Sequence, residues 1–548
     1  MLNTDHFDIQ QLVEVCVAKG MSHAVICPGS RNAPLTIAFN RSEIECIVIP
    51  DERVAGFFAM GIAQQTGMPT ALICTSGSAV LNFAPAIVEA YYQGLPLLVL
   101  TADRPAEIID QGHGQTIRQS QIYTNYVKGS MDFQEGLSLE EIEDQISEAF
   151  DFTLVDKPGP VHINIPIREP LYGLTEEAVD SIEYELEIER EIFELAPYLD
   201  RVNDYNKVML IVGQLNDEIV NEAIKACIDN KNIVVLTEAT SNIEGLTIQS
   251  IDRFLSSLTA QEEASFAPDL LISIGGAVVS KKIKAFINKY KPKEHWNVGP
   301  IIGMADTYDA LTEYLEASEE RFVDMLGAVE ISSDYHQLWH QRDESLKAKM
   351  TDYLAEIDWS DFKVFETLFN FIPVDTDIHF GNSTVVRYAN LFDLNANYNS
   401  FCNRGTSGID GVTSTAMGSA YVFGKTTTVI TGDIAFLYDS NALWHKYMDT
   451  LDLKIILINN GGGGIFRIIP GPDQLEELEA YFDCYQEVDI KKLVEAYGLT
   501  YQVATDVGSL TKALSNLYTN TAVQFLEIKT DGKISAEVLR NYFQIIGQ

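Results

Sequence analysis

Two apolar runs decide how this chain reads. Thr427–Ile430 leads into Gly432-Asp433, and Lys454–Ile458 leads into Asn459-Asn460 and the four glycines Gly461, Gly462, Gly463 and Gly464. Asn459 and Asn460 stand 26 and 27 positions after Asp433, and one helix-length segment, Ser440–Thr450, lies between. A strand, a helix and a second strand joined by a right-handed crossover bring the carboxyl ends of two parallel strands to the same sheet edge. Asp433 and Asn460 then turn oxygen ligands, the hard donors that Mg²⁺ takes, toward one point. The glycines let backbone amides and carbonyls approach a diphosphate closely. Gly-Asp and Asn-Gly are ordinary loop signals when met singly; the spacing and the flanking strands make them a site.

The same rhythm runs outward through the chain. His23–Cys27 leads into Pro28-Gly29-Ser30-Arg31-Asn32, and Ile44–Ile49 into Asp51-Glu52-Arg53 and a helix to about Gln65. Pro69–Cys74 leads into Thr75-Ser76-Gly77, and Leu97–Leu100 into Thr101-Ala102-Asp103-Arg104. Apolar run, polar turn, helix, repeated, is the pattern of a parallel sheet covered on both faces, with ligands at the strand ends. A Glu-rich stretch near 174–206 reads as a linker with some helix. Val208–Val212, Ile233–Leu236 and Leu270–Ile274 then repeat the rhythm without G-x-G-x-x-G, which gives a Rossmann-like domain with little sign of a dinucleotide. A polar helix is expected over 335–356. The predicted fold is α/β, three doubly wound parallel-sheet domains: 1–180, a linker at 181–205, a central domain at 206–355, and 356–548. The similar rhythm of the outer two suggests an ancient duplication.

Composition bounds the function. The 548 residues carry 38 Lys+Arg against 79 Asp+Glu, a net charge of −41. That excess argues against nucleic acid and against an anionic membrane surface as partners. An anionic ligand must be held by local cations working against the global field. With 46% apolar and 21% charged residues, the chain is a folded one of two or three domains. Seven cysteines without a C-x-x-C pair read as reduced, mostly buried thiols. The start lacks a signal-peptide pattern, and no stretch reaches the roughly 18 apolar residues of a membrane helix. A cytoplasmic location is expected.

Gly432-Asp433, the interval, and Asn459-Asn460 resemble the cofactor motif of thiamine-diphosphate enzymes, with Ile434 standing where that motif has its second glycine. In that superfamily an acidic residue at a strand-to-helix turn of the first domain hydrogen-bonds N1′ of the aminopyrimidine. Glu52 occupies that place; otherwise it is an acid complementing a helix dipole. The resemblance implies a pyrimidine-binding first domain, a diphosphate-binding last domain, and a homodimer or homotetramer with the cofactor at the subunit interface.

Four arginines near loop ends, Arg31, Arg104, Arg387 and Arg404, suit substrates with several carboxylates, although each could pair with neighbours such as Asp51 or Asp103. The segments Cys27–Leu35, Asp51–Phe57, Thr75–Tyr92, Thr101–Gln119, Gly381–Arg387, Asn403–Gly411 and Gly432–Phe466 resemble one family within the superfamily, the 2-succinyl-5-enolpyruvyl-6-hydroxy-3-cyclohexene-1-carboxylate synthases of menaquinone biosynthesis. That family joins 2-oxoglutarate to isochorismate with loss of CO₂. The resemblance implies Glu52, Gln115 and Arg31 as catalytic residues. It places thiamine diphosphate against Glu52, Thr75, Ser76, Gly77, Ser383, Gly432, Asp433, Ile434, Asn460, Gly462, Gly464, Ile465 and Phe466. Ile409 becomes the apolar wedge that bends the cofactor, unless it is plain core. Asp433, Asn460 and the Gly462 carbonyl would hold Mg²⁺ or Mn²⁺. Ser30, Arg31, Asn32, Arg104, Gln115, Lys281, Ser383, Arg387, Arg404 and Phe482 would surround the substrates; Lys281 reads equally well as a solvated helix start.

Two other readings stay open. One is a sister enzyme of the acetolactate synthase kind, acting on small monocarboxylates. The other is an inactive regulatory or nucleotide-binding paralogue, against which Glu52 and Asp433 argue. The sequence has no adjacent His-His pair, which disfavours a simple decarboxylase. His336 and His340 lack the glutamate of an H-E-x-x-H zinc site.

Overall fold

Each apolar run named above forms a strand. The computed structural model describes residues 2–134, 136–184, 193–229, 233–243, 245–300, 306–331, 333–394, 398–469 and 471–548. The chain divides into two units, Met1–Arg190 with Asn403–Gly424 and Asp439–Leu451, and Glu191–Cys402 with Lys425–Tyr438 and Asp452–Gln548.

The first unit holds strands β1 (His23–Ile26), β2 (Glu45–Val48), β3 (Thr70–Cys74), β4 (Leu97–Asp103), β5 (Gly129–Asp132) and β6 (Val161–Pro166), in the order β2-β1-β3-β4-β6-β5. Every neighbouring pair is parallel. All residues of β3 and β4 are buried, as two helix-covered faces require, which is why these strands read as unbroken apolar runs. Helix α1 (Glu52–Thr66) starts at Asp51, whose side chain accepts the N–H groups of Arg53 and Val54, and it ends at Gly67 in the left-handed region. Helix α2 (Ala84–Gln93) follows β3.

The second unit holds two sheets. β7 (Val208–Val212), β8 (Ile233–Leu236), β9 (Leu270–Ile274), β10 (Glu294–Val298) and β11 (Glu313–Leu315) pair in parallel in the order β8-β7-β9-β10-β11, and helix α3 (Lys281–Lys289) follows β9. Helix α4 (Asp361–Phe369) leads into the other sheet. Its strands are β12 (Asp377–Phe380), β13 (Asn399–Cys402), β14 (Thr427–Gly432), β15 (Leu453–Asn459), β16 (Tyr501–Ala504) and β17 (Gln524–Lys529), with helix α5 (Thr384–Ala389) after β12. The order β13-β12-β14-β15-β17-β16 reproduces that of the first sheet strand for strand, and again all neighbours are parallel. Identical strand orders fit the duplication suggested by the sequence rhythm.

Helix α6 (Val412–Phe423) belongs to the first unit and lies directly on α1. A Cβ at Gly61 would sit 2.1 Å from the Thr415 carbonyl oxygen, and one at Gly418 would sit 1.9 Å from that of Phe58. Glycine at both places lets the two backbones touch, and this contact anchors the helix that carries Glu52.

The polar helix expected over 335–356 spans Tyr335–Glu356. The linker region contains a helix, Ala196–Val202, while residues 185–192 of it lie outside the described residues. One expectation is corrected. Ser440–Thr450 is not a helix; helix α7 (Asp433–Tyr438) begins at the aspartate itself, and Ser440–Trp444 and Met448–Thr450 form short 3₁₀ turns. The buried Asp439 carboxylate takes the Ser414 N–H and hydroxyl, and Asn441 donates to Asp51 at 2.7 Å, so side chains that cap and bridge replace the next turns of helix.

Candidate active site

The second unit gathers three strand ends at one edge. β12 and β15 flank β14, so Gly381-Asn382-Ser383, Gly432-Asp433 and Asn459–Gly464 emerge side by side. Asp433 is 8% exposed. Its carboxylate accepts the N–H of Ile434 at 2.8 Å, of Gly461 at 3.1 Å and of Gly462 at 2.8 Å. Burial pushes its carboxyl up to about 6, against the downward pull of those three amides. Gly461 and Gly462 have φ of +86° and +139°, which only glycine adopts without strain. A Cβ at Gly462 would lie 2.4 Å from the Asp483 carbonyl oxygen, so the glycine run is pinned by the 482–483 backbone. Phe466 and Phe482 face one another at 5.4 Å between ring centres. Ile465 lies in the 3₁₀ turn Gly464–Arg467.

Asn460 is oriented by a residue that the motif reading did not find. Its Nδ2 donates to Asp361 Oδ2 at 2.8 Å, while Thr530 donates to Asp361 Oδ1 at 2.5 Å. Burial raises the Asp361 carboxyl above the usual carboxylate range. With its NH₂ group turned to Asp361, the planar amide presents Oδ1 on its other side. Gly464 leaves room for this, since a Cβ there would press within 2.9 Å of the Asn460 amide. Ser383, at φ +74°, precedes α5, and Arg387 one turn later donates to the Ser383 carbonyl.

The first unit gathers a second set at the ends of β1 to β4. Glu52 is the first residue of α1 and accepts from Asn82 Nδ2 at 3.3 Å. Arg31, 4% exposed, donates to the Ile167 carbonyl at 2.7 Å and to Glu169 at 3.2 Å; Arg104 approaches the same Glu169 at 3.9 Å. Burial and the neighbouring Arg104 lower the Arg31 pKa from its ordinary value. Two guanidinium groups thus share the Glu169 carboxylate, while Asp103, weighed from sequence, acts on both of them through its charge. Glu169 is a second residue the motifs did not reveal.

The Thr75 hydroxyl accepts the Arg31 N–H at 3.2 Å, and Gly77 donates its N–H to Gln119 at 2.9 Å. A Cβ at Gly77 would lie 3.3 Å from the Gln115 Cα, so Gln115, in the left-handed region at φ +56°, is seated beside that loop. Ser30 and Tyr172 share a hydrogen bond of 2.8 Å. Buried at this edge without a hydrogen-bond partner among the described residues are Ser76 Oγ, Asn32 Oδ1, Arg31 Nε and Arg104 Nε. Native interiors rarely leave such atoms unpaired, and a ligand bound at this sheet edge would give them partners. Arg404 and Ile409 belong to this unit, on the loop that precedes α6. Ile409 is 38% exposed, so it is not plain core. Lys281 is exposed in the first turn of α3, after the N-cap Ser280.

These residues fit Mg²⁺ and a diphosphate. One carboxylate, one amide oxygen and one backbone carbonyl are hard, weakly charged donors, as suits a cation already half neutralised by phosphate. A cation beside Asp433 would offset the desolvation that raises its carboxyl. The ground next to it is open: a Cβ at Gly432 would meet nothing within 4 Å.

Comparison with known proteins agrees along the whole chain. Residues 9–122 match the family model described as thiamine pyrophosphate enzyme, N-terminal TPP binding domain. Residues 184–379 match the middle domain of thiamine pyrophosphate, and 380–528 match thiamine pyrophosphate enzyme, C-terminal TPP binding domain. Curated relatives named 2-succinyl-5-enolpyruvyl-6-hydroxy-3-cyclohexene-1-carboxylate synthase include that of Flavobacterium psychrophilum, 41% identical over 98% of both chains. That of Flavobacterium johnsoniae is 41% identical over 98% of both, and that of Porphyromonas gingivalis 38% identical over 100% of this chain and 98% of its own. Likeness of that extent, running from the β1 loop through the glycine cradle, means that the chain belongs to the 2-succinyl-5-enolpyruvyl-6-hydroxy-3-cyclohexene-1-carboxylate synthase family of thiamine-diphosphate enzymes.

Proposed function

We propose that this chain joins 2-oxoglutarate, with loss of CO₂, to isochorismate by conjugate (1,4) addition, giving 2-succinyl-5-enolpyruvyl-6-hydroxy-3-cyclohexene-1-carboxylate for menaquinone biosynthesis. The observation that carries the reading is the buried Asp433 carboxylate, gripped by glycine amides beside open space at the ends of β14 and β15. When bound, thiamine diphosphate supplies a carbon nucleophile and an electron sink for decarboxylation of a 2-oxo acid. The residues supply position and charge. Asp433, Asn460 Oδ1 and the Gly462 carbonyl, which has a lone pair left beyond its bond from the Gly464 N–H, would hold Mg²⁺ on the diphosphate. Glu52 holds a proton at the aminopyrimidine N1′. Thr75, Ser76, Gly77, Ile409 and Phe466 shape the walls. Arg31 and Arg104, already paired toward one carboxylate, receive a substrate carboxylate, with Arg387, Arg404, Ser30, Asn32, Gln115, Ser383, Lys281 and Phe482 around the remaining groups.

The working form is a cytoplasmic homo-oligomer, dimer or tetramer, in which Glu52 of one subunit and Asp433 of a second meet the two ends of one cofactor. No helix among the described residues is long and apolar enough to cross a membrane. Product analysis with thiamine diphosphate, Mg²⁺, 2-oxoglutarate and isochorismate tests the reading. The expected result is CO₂ from 2-oxoglutarate and not from pyruvate, with a coupled product of the predicted mass. CO₂ from pyruvate alone would transfer the chain to the acetolactate-forming kind, and no binding of thiamine diphosphate in Mg²⁺ would make it an inactive paralogue.

A further inference from the structure

Glu89 stands in the middle of α2 and is 2% exposed, in a helix whose neighbours Ala86, Ile87 and Ala90 are plain core. A carboxylate so placed needs several donors to offset the water it has lost. It has four. Oε1 accepts Gln93 Nε2 at 2.7 Å and the Gly405 N–H at 2.6 Å; Oε2 accepts the Thr406 N–H at 2.7 Å and the Thr406 hydroxyl at 2.6 Å. Three of the four come from the loop that carries Arg404 and Ile409. The loop backbone also lies hard against the helix: a Cβ at Gly405 would fall 2.6 Å from the Glu89 carbonyl oxygen and 3.0 Å from the Tyr92 Cβ. Glycine at 405 permits that approach, and the carboxylate clamps it.

We propose that Glu89 is a positioning residue for the synthase reaction, fixing through Gly405 and Thr406 the loop whose Arg404 takes a substrate carboxylate. The assignment rests on the reading of Arg404 given above. The chemistry of the clamp is specific to a carboxylate. Glutamine has one acceptor oxygen and an NH₂ group, and in this pocket the NH₂ must face a backbone N–H that can only donate. The side chain keeps its volume while one end of the loop loses its hold. Geometry-dependent carboxylate binding suffers from such a release much more than folding does, since small displacements of a positioned group cost on the order of 10²-fold.

The test is a double-mutant cycle on the full-length enzyme with thiamine diphosphate and Mg²⁺. KM and kcat for both substrates are measured for Glu89→Gln, Arg404→Ala and the pair, alongside thermal melting. Glu89→Gln is expected to raise, by on the order of tenfold or more, the KM of the same substrate that Arg404→Ala affects, with the melting temperature nearly unchanged. In the Arg404→Ala background it is expected to add little. Additive effects, or an unchanged KM in folded Glu89→Gln, would overturn the proposal while leaving Arg404 in the site. An unchanged KM in Arg404→Ala would instead remove Arg404 from substrate binding, and the proposed role of Glu89 with it. If Glu89→Gln fails to fold, Thr406→Val decides. It deletes one donor from an exposed residue; a raised KM supports the clamp and an unchanged one refutes it.

Discussion

Replacing Asp361 separates the geometry of the cation site from its charge. Asp361 is buried, and its two oxygens are committed to Asn460 Nδ2 at 2.8 Å and Thr530 Oγ1 at 2.5 Å. It therefore sets which end of the Asn460 amide is left for the proposed Mg²⁺. Asp361→Leu keeps the branching of the side chain, with larger methyl groups in place of the two oxygens, but offers no acceptor, so the amide loses its preferred orientation. A hydrogen bond to a charged group contributes about 1.5–3 kcal/mol. At 1.4 kcal/mol per decade that weakens Mg²⁺ binding by roughly 10- to 150-fold, the range in which outer partners of metal ligands commonly act. Asp361→Asn is expected to be milder, less than about tenfold. Its carbonyl still accepts from Asn460, and its NH₂ can donate to the Thr530 hydroxyl once that group turns round. The assay is calorimetric titration of Mg²⁺ at saturating thiamine diphosphate, with circular dichroism to verify folding. Binding within twofold of wild type in Asp361→Leu, or a larger loss in Asp361→Asn than in Asp361→Leu, refutes the orienting role.

Glu52→Gln is expected to abolish product formation while leaving the melting temperature and Mg²⁺–diphosphate binding nearly unchanged; retained turnover removes Glu52 from the mechanism. Gly432→Ala adds a methyl that meets no protein atom within 4 Å, so folding should be unaffected, whereas thiamine diphosphate binding, measured by calorimetry, should weaken more than tenfold if the cofactor occupies that space. Asp439 gives a pH test. Burial holds its carboxyl at about 6, above its unfolded value, so the folded state binds this proton more tightly than the unfolded chain. Its contribution is present below about pH 4 and is lost as pH rises through 6, a change of about 3 kcal/mol for a shift near two pKa units. Wild type should therefore lose stability relative to Asp439→Asn between pH 4 and 7 in chemical denaturation. A pH-independent difference between the two would show that the carboxyl does not titrate there.

The central strands were legible because strands such as Thr70–Cys74 and Leu97–Asp103 are buried on both faces and so are mainly apolar, whereas edge strands such as Gly129–Asp132 and Tyr501–Ala504 are largely unburied and show no such run. Val208–Val212, Ile233–Leu236 and Leu270–Ile274 fall where the apolar runs do, residue for residue. The ligand-bearing turns were legible for a related reason: Gly432-Asp433 and Asn459-Asn460 are local signals placed by the strands that precede them. The length of Ser440–Thr450 suggests a helix that does not form because Asn441 within it binds Asp51 and Asp439 just before it binds Ser414, partners that the local sequence does not mark.

Periodicity and motif spacing establish the three parallel sheets, the strand ends that carry chemistry, and the residue types offered there, since backbone pairing and burial are imposed over a few consecutive residues. Which acceptors hold those residues in place is a matter of the folded chain. Asp361 lies 99 positions from the Asn460 it orients, Glu169 lies 138 from Arg31, and Glu89 lies 316 from Gly405. A lone acid in a helix or loop carries no local mark of its partner. Only after the apolar runs have stacked does each carboxylate come within hydrogen-bond distance of the group it commands.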